Sequence, residues 1–137
     1  MDISSTPRQE DLNKISRAVR EHNLEFMPND FCDLAVLERD SSENIIAGLT
    51  ATTYWDRLDI AYLWVSPEYR GNGLSKKLLL AAEKEAINRG CRFSQLDTFD
   101  FQALGLYLKL GYKEYGKLSG YNNGYKRFYL QKELSGT

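Results

Sequence analysis

Between Val65 and Ala86 the sequence reads VSPEYRGNGLSKKLLLAAEKEA, and its glycine spacing and charge suit the holding of an anion. Gly71 and Gly73 stand between an apolar, strand-like run and a leucine-rich, helix-like run. A helix that starts directly after such a pair presents unpaired backbone N–H groups and the positive end of its dipole. Glycines let those groups approach an anion closely, and Arg70 adds a permanent positive charge. Phosphate suits such a place. Two familiar phosphate motifs fail on spacing. A dinucleotide fingerprint, Gly-x-Gly-x-x-Gly, requires glycine at 76, where Lys76 stands. A Walker loop requires four residues between its first glycine and a Gly-Lys pair. On these residues alone, a glycine-rich start to an ordinary helix remains the alternative.

Other chemistries find few residues to work with. His22 is the only histidine, and Cys32 and Cys91 are the only cysteines, with no Cys-x-x-Cys pair. Histidine-based zinc sites and serine–histidine or cysteine–histidine catalysis are hard to build from one histidine, so no metal is expected. His22 reads as a helix-end or surface residue, and the cysteines as small core residues.

The elements that must position the glycine pair follow from periodicity and turn chemistry. SSTPRQEDLNKISRAVREHN opens like a helix, with Thr6 as cap, Pro7 in the first turn and Gln9 at capping-box spacing. Leu12, Ile15 and Val19 fall on one face of it. Pro28 breaks that pattern. Asp33–Arg39, Ile45–Tyr54 and Leu58–Val65 read as strands joined by the polar turns DSSEN and WDR, an antiparallel meander. Leu74, Leu78, Ala81, Ala82 and Ala86 then recur at helical spacing until Gly90 stops the run. CRFSQLDTF is a further strand, and a helical connection makes it parallel to Leu58–Val65. A second helix, FQALGLYLKL, ends at Gly111, and YKEYGKL with GYKRFYLQKEL forms a closing hairpin around SGYNNG. The expected fold is α/β, a mixed and mostly antiparallel sheet with a parallel pair in the middle and flanking helices.

The totals bound the rest. At 137 residues the chain is expected to form a single domain, 1–137. Hydrophobic residues are 42% and charged residues 27%, ordinary for a globular protein. The net charge of −1 argues against a nucleic-acid or membrane surface, despite the Lys/Tyr-rich tail GYKRFYLQKE. No apolar run approaches the ~20 residues of a membrane-spanning helix. MDISSTPRQED lacks the basic and apolar regions of a signal peptide, so the cytoplasm is the expected location.

Read together, LWVSPEYRGNGLSKKLLLAAEKEA resembles the central motif of the GNAT superfamily of acyl-CoA-dependent N-acetyltransferases. That motif is a strand ending in Val-x-Pro, then Arg/Gln-x-x-Gly-x-Gly/Ala, then a helix. Here it is Val65-Ser66-Pro67 followed by Arg70-Gly71-Asn72-Gly73-Leu74-Ser75, with Ser75 where the family usually has glycine or alanine. Ala103–Tyr112, ALGLYLKLGY, is similar to the family's Asn-x-x-Ala-x-x-x-Tyr-x-x-Leu-Gly-Phe/Tyr segment, with Asp100 at the asparagine position. DTFDFQA with YLKLGY also resembles a subgroup of small GNAT proteins.

The resemblance implies acetyl-CoA as donor and a small-molecule or peptide amine as acceptor. It implies that two central parallel strands splay, with Leu63, Trp64 and Val65 holding the pantetheine and acetyl carbonyl through backbone groups. Arg70, Gly71, Asn72, Gly73, Leu74 and Ser75 then take the pyrophosphate, and Asp100 and Ala103 complete the cofactor contacts. Tyr107 falls on the family's tyrosine position, where a phenol of pKa near ~10 can protonate the departing thiolate. It also reads as an aromatic on the core face of its helix. Asp59 is the base candidate, expected on the same strand face as Ala61, Leu63 and Val65, with water as the alternative base and Asp97 and Asp100 as further carboxylates. Phe26, Asp30, Tyr54, Trp55, Tyr121 and Tyr125, on the loops best able to reach an acceptor, suit a cationic amine. A homodimer paired through a C-terminal strand is an arrangement the family often adopts. A non-catalytic acyl-CoA-binding regulatory module is the alternative reading.

Overall fold

The structure, a computed structural model, describes residues 1–135. The chain divides into two compact units, Met1–Asp30 and Phe31–Thr137.

The first unit is built on helix α1 (Gln9–Asn23). Its cap differs from the expected one. Arg8, in an extended conformation, is the N-cap and supplies no side-chain capping hydrogen bond, its guanidinium donating instead to Asp11. The Thr6 N–H is already bonded to Ser4 Oγ at 3.0 Å, and the Gln9 side chain turns forward to Asn13 at 2.9 Å. The Thr6 N–H a capping box would use is thus taken by Ser4, and the Gln9 side chain is turned away toward Asn13. Glu10 and Asp11 in the first turn favour the helix N-terminus through the dipole instead.

The second unit is a six-stranded sheet in the order β1-β2-β3-β4-β6-β5. Its strands are β1 (Cys32–Arg39), β2 (Ile45–Tyr54), β3 (Arg57–Val65), β4 (Phe93–Phe99), β5 (Lys113–Leu118) and β6 (Arg127–Glu133). Every pairing is antiparallel except β3 with β4, as the sequence pattern requires. The β2–β3 hairpin turns on Trp55 and Asp56, both with positive φ (47° and 66°), which gives a two-residue turn without glycine. A short 3-10 turn, Pro67–Tyr69, then leads from β3 to helix α2 (Leu74–Asn88).

Helix α2 packs on β1, β2 and β3. Its buried residues are Leu78, Leu79, Ala82, Glu83 and Ala86, so a glutamate lies inside the stripe and Ala81 lies outside it. Gly90, at φ 87°, ends the helix with Cys91 N–H bonded to Ala86 O and Gly90 N–H bonded to Ile87 O. That pattern satisfies carbonyls the helix end would otherwise orphan. The helix stripe meets one sheet face formed by Ala47, Leu49, Ala51, Leu58, Ile60, Leu96 and Leu130, all buried.

The second predicted helix is shorter than its pattern. Only Leu104–Lys109 (α3) is helical, because the Gln102 side chain accepts the Phe99 N–H at 2.8 Å and holds the preceding residues in a turn. Leu49 is fully buried at the centre of the core. Leu49→Ala is expected to lower stability by about 2–5 kcal/mol through lost burial and a residual cavity, read as a shift in the urea midpoint at constant slope.

Candidate active site

The site begins where two strands stop pairing. Strands β3 and β4 are matched only through Arg57/Phe93, Leu58/Ser94 and Asp59/Gln95. Beyond that point both continue, β3 to Val65 and β4 to Phe99, without each other. Each keeps a ladder on its far side, with β2 and β6 respectively, so the divergence opens a gap inside the sheet rather than at its edge.

A cleft of about 500 Å³ occupies that gap. Leu63, Trp64 and Val65 line one wall, and Asp97 and Thr98 line the other. Arg70 and Ser75 close one end, and Ala103 and Tyr107 reach in from α3 and its N-cap. The strands supply backbone groups, the α2 terminus supplies positive charge and α3 supplies a phenol.

Of the predicted Arg70–Ser75 turn only Arg70 and Ser75 line the cleft, with Gly71, Asn72, Gly73 and Leu74 outside its lining, and the turn itself suits an anion. Gly71 and Gly73 have φ of 84° and 76°, conformations L side chains rarely adopt. A Cβ at either would meet nothing within 4 Å, so open space lies over both. Gly73 caps the helix without a side-chain hydrogen bond, and no acidic residue sits in the first turn. The Arg70 side chain is itself anchored, its Nε donating to Val65 O at 3.0 Å. The guanidinium therefore ties the end of β3 to the glycine turn while the first-turn N–H groups stay clear of competing carboxylates.

Tyr107 is buried, at 7% exposure, and burial alone pushes its phenol above the ordinary tyrosine value. The neutral, proton-carrying form is thereby favoured. Its ring meets the ring of Tyr112 edge-on at 5.8 Å.

Asp59 stands elsewhere than its spacing suggests. Thr50 pairs with Tyr62 and Ala51 pairs with Ile60, so Ala61 is an extra residue, a bulge in β3. One added residue reverses the alternation of every side chain beyond it. Leu58 and Ile60 are buried before the bulge, Val65 is buried after it, and Leu63 joins the same core. Asp59 thus faces away from Leu63 and Val65, onto the side of the sheet opposite α2. There it accepts a hydrogen bond from Tyr54 Oη at 2.9 Å and lines a shallow cavity of about 280 Å³ with Gln95, Asp97, Arg127 and Tyr129. Asp97 lines both this cavity and the cleft, and is paired with Arg127.

The remaining predicted residues are dispersed. Asp100 is outside the cleft lining, its carboxylate accepting the Lys126 N–H at 3.3 Å. Tyr54 and Trp55 form an aromatic cluster with Phe31, the Tyr54 ring stacked on Phe31 at 4.6 Å. Tyr121 packs on Phe99, and Tyr125 packs on Phe101, which lines the cleft. Phe26 and Asp30 belong to the first unit. Among cleft residues, Tyr62 has no signal in the sequence that singles it out, and Phe101 and Gln102 have only the subgroup resemblance of DTFDFQA, which assigns them no role. Thr98 has one, since it alternates with Ser94 and Leu96 on the buried face of β4.

Residues 2–112 match the model of the acetyltransferase (GNAT) family. The chain belongs to this family. It is 37% identical over 91 residues to the blasticidin-S acetyltransferase of Streptomyces morookaense, covering 66% of this chain and 67% of that one. A structure from Agrobacterium tumefaciens, described as that of an acetyltransferase, superposes with a TM-score of 0.91 at 29% identity, over 97% of this chain and 98% of the other. A more distant fold neighbour from Bacillus anthracis, at 20% identity and TM-score 0.66 over 75% of this chain and 63% of the other, holds acetyl coenzyme A. This GNAT protein is an acyl-CoA-dependent N-acetyltransferase with acetyl-CoA as its donor, and the open glycine turn, acid-free helix end and splayed strands fit that molecule. Among the described residues, no helix is long and apolar enough to cross a membrane.

The buried phenols give the fold a defined response to alkali. Burial raises the pKa of both Tyr107 and Tyr112 in the folded chain, for Tyr112 with a contribution from the Glu83 charge. A raised folded pKa contributes stability that is fully present below the unfolded value of ~10 and is lost as pH rises through the folded value. The urea midpoint is therefore expected to fall above about pH 10, less steeply in Tyr107→Phe than in the parent. Equal slopes in the two proteins would show that Tyr107 titrates as an ordinary phenol.

Proposed function

We propose that the protein acetylates a primary amine of a small molecule by direct attack in a ternary complex. One observation carries this reading: the anion-suited end of α2, the unpaired edge of β3 and the Tyr107 phenol border one cleft. Acetyl-CoA supplies a thioester whose acyl carbon an amine can attack. The first-turn N–H groups of α2, with Arg70 and the hydroxyl of Ser75, would hold the pyrophosphate. Backbone N–H groups along Leu63–Val65 would stabilise negative charge developing on the carbonyl oxygen. Tyr107 would give its proton to the departing thiolate, which leaves free coenzyme A and an amide.

The acceptor must lose a proton, since an alkylamine has a pKa near ~10.4. The two cavities meet at Asp97, which supports an approach from the sheet face that carries Asp59. On this reading Asp59 attracts and deprotonates the ammonium, directly or through water, and Asp97 guides it into the gap. Tyr129 borders the same cavity with Arg127, whose guanidinium lies 5.2 Å from the Tyr129 ring centre and pairs with Asp97, and Phe101, packed on Tyr125, lines the cleft. The Asp59 carboxylate and the aromatic faces of Phe101 and Tyr125 favour a cationic amine. The relative named for blasticidin S supports a small-molecule acceptor over a peptide.

With acetyl-CoA and a panel of amines, amine-dependent release of free thiol is expected. Tyr107→Phe is expected to lower kcat by about 10²-fold while leaving the Kd for coenzyme A unchanged. Equal turnover would remove Tyr107 from the mechanism, and acetylation of charge-neutral acceptors alone would remove the cationic preference. Gly73→Val is expected to weaken coenzyme A binding by at least about tenfold in calorimetry, because the substitution forces an L residue at positive φ and fills the space over the helix end.

A further inference from the structure

Among the described residues Glu83 is the only buried carboxylate, at 6% exposure in the middle of α2. Its neighbours on the buried stripe are Leu79, Ala82 and Ala86, which would pack well around an apolar side chain. A buried charge costs more than such packing unless its partners are well placed. Here both oxygens are engaged. Lys132 Nζ donates to Oε1 at 2.8 Å, and Tyr112 Oη donates to Oε2 at 2.9 Å. A carboxylate only accepts, so the single phenol proton of Tyr112 lies toward Glu83. The Ser94 hydroxyl, 2.7 Å from the same phenol oxygen and fully buried, must then be the donor of that bond. The proton order Ser94→Tyr112→Glu83 is fixed.

These bonds hold one ring from several elements at once. Glu83 comes from α2, Ser94 from β4 and Lys132 from β6, whose ammonium also lies 5.7 Å from the Tyr112 ring centre. Tyr112 follows α3, and its N–H donates to Tyr107 O at 3.0 Å. The clamped Tyr112 ring is the surface against which the Tyr107 ring rests, edge to face. Tyr107 then projects into the cleft.

We propose that Glu83 and Tyr112 are positioning residues for acetyl transfer: by fixing the Tyr112 ring through Glu83 and Ser94, they set the orientation of the Tyr107 phenol in the cleft. The proposal rests on Tyr107 as the proton donor to the thiolate. Tyr112 touches neither donor nor acceptor, and acts through ring contact and the backbone bond at the end of α3. Loss of the Tyr112 hydroxyl frees the ring to shift while keeping its volume, and misplacement of a reacting group by about 1 Å can cost about 10²-fold in rate.

The test uses Tyr112→Phe in the full chain, which removes the hydroxyl and retains the ring. With coenzyme A bound, the 13Cζ resonance of Tyr107 is expected to move or broaden in this variant, and the Kd for coenzyme A to stay within about two-fold of the parent. Turnover with the best amine of the panel is expected to fall about three- to ten-fold, at unchanged KM for acetyl-CoA. In a Tyr107→Phe background the same substitution is expected to have no further effect on turnover, because the phenol it positions is gone. An unmoved Tyr107 resonance, or an equal fractional loss of turnover in both backgrounds, would overturn the proposal. If Tyr107→Phe alone leaves turnover intact while its resonance still responds to Tyr112→Phe, the proton-donor role falls and takes the catalytic part of the proposal with it. The ring coupling would then be purely structural.

Discussion

Everything in the site depends on the early end of one hydrogen-bonded ladder. Strands β3 and β4 run parallel and pair over three residues, then separate with most of their length still ahead. Inside a sheet an unpaired row of N–H and C=O groups is costly, and native chains rarely leave one unpartnered. The gap is held open because β2 and β6 anchor the outer edges of the two strands. What lies between is a slot with backbone donors and acceptors along its walls, shaped for an extended polar arm.

The bulge at Ala61 and the glycine turn make that slot directional. The bulge reverses the faces of β3 just past the last paired residue, so the exposed Tyr62 and Trp64 share a side with Asp59 while Val65 returns to the core. At the far end, Arg70 ties Val65 to the turn that starts α2. The positive charge of Arg70 thus stands at the glycine end, while Asp59 and the Asp97–Arg127 ion pair lie at the other face. A donor with an anionic tail is favoured at the end that carries Arg70.

Much of this was legible in the sequence where local rules decide the outcome. The meander, the crossover and the Gly90 stop follow from period, turn residues and a helix C-cap, and each stands as read. Spacing and type mark the glycine pair as a place for an anion, Tyr107 stands out only through the family resemblance, and the structure brings Arg70, Ser75 and Tyr107 to one cleft. The failures have a common cause. Thr6 and Gln9 have the right spacing for a cap, but the Thr6 N–H is bonded to Ser4 and the Gln9 side chain to Asn13. Asp59 was placed by strict alternation, which a single unsignalled residue inverts. Glu83 carries no signal in the sequence, since its partners Tyr112 and Lys132, and Ser94 behind Tyr112, are distant along the chain and only the fold assembles them.

The most direct measurement is an amide NMR titration of the full chain with coenzyme A. If the splayed strands and the α2 terminus form the donor site, the largest shifts fall on the N–H groups of Leu63–Val65 and Gly71–Ser75, with little change along β5. Saturable binding that leaves those amides unmoved and perturbs another surface would contradict the assignment of the cleft.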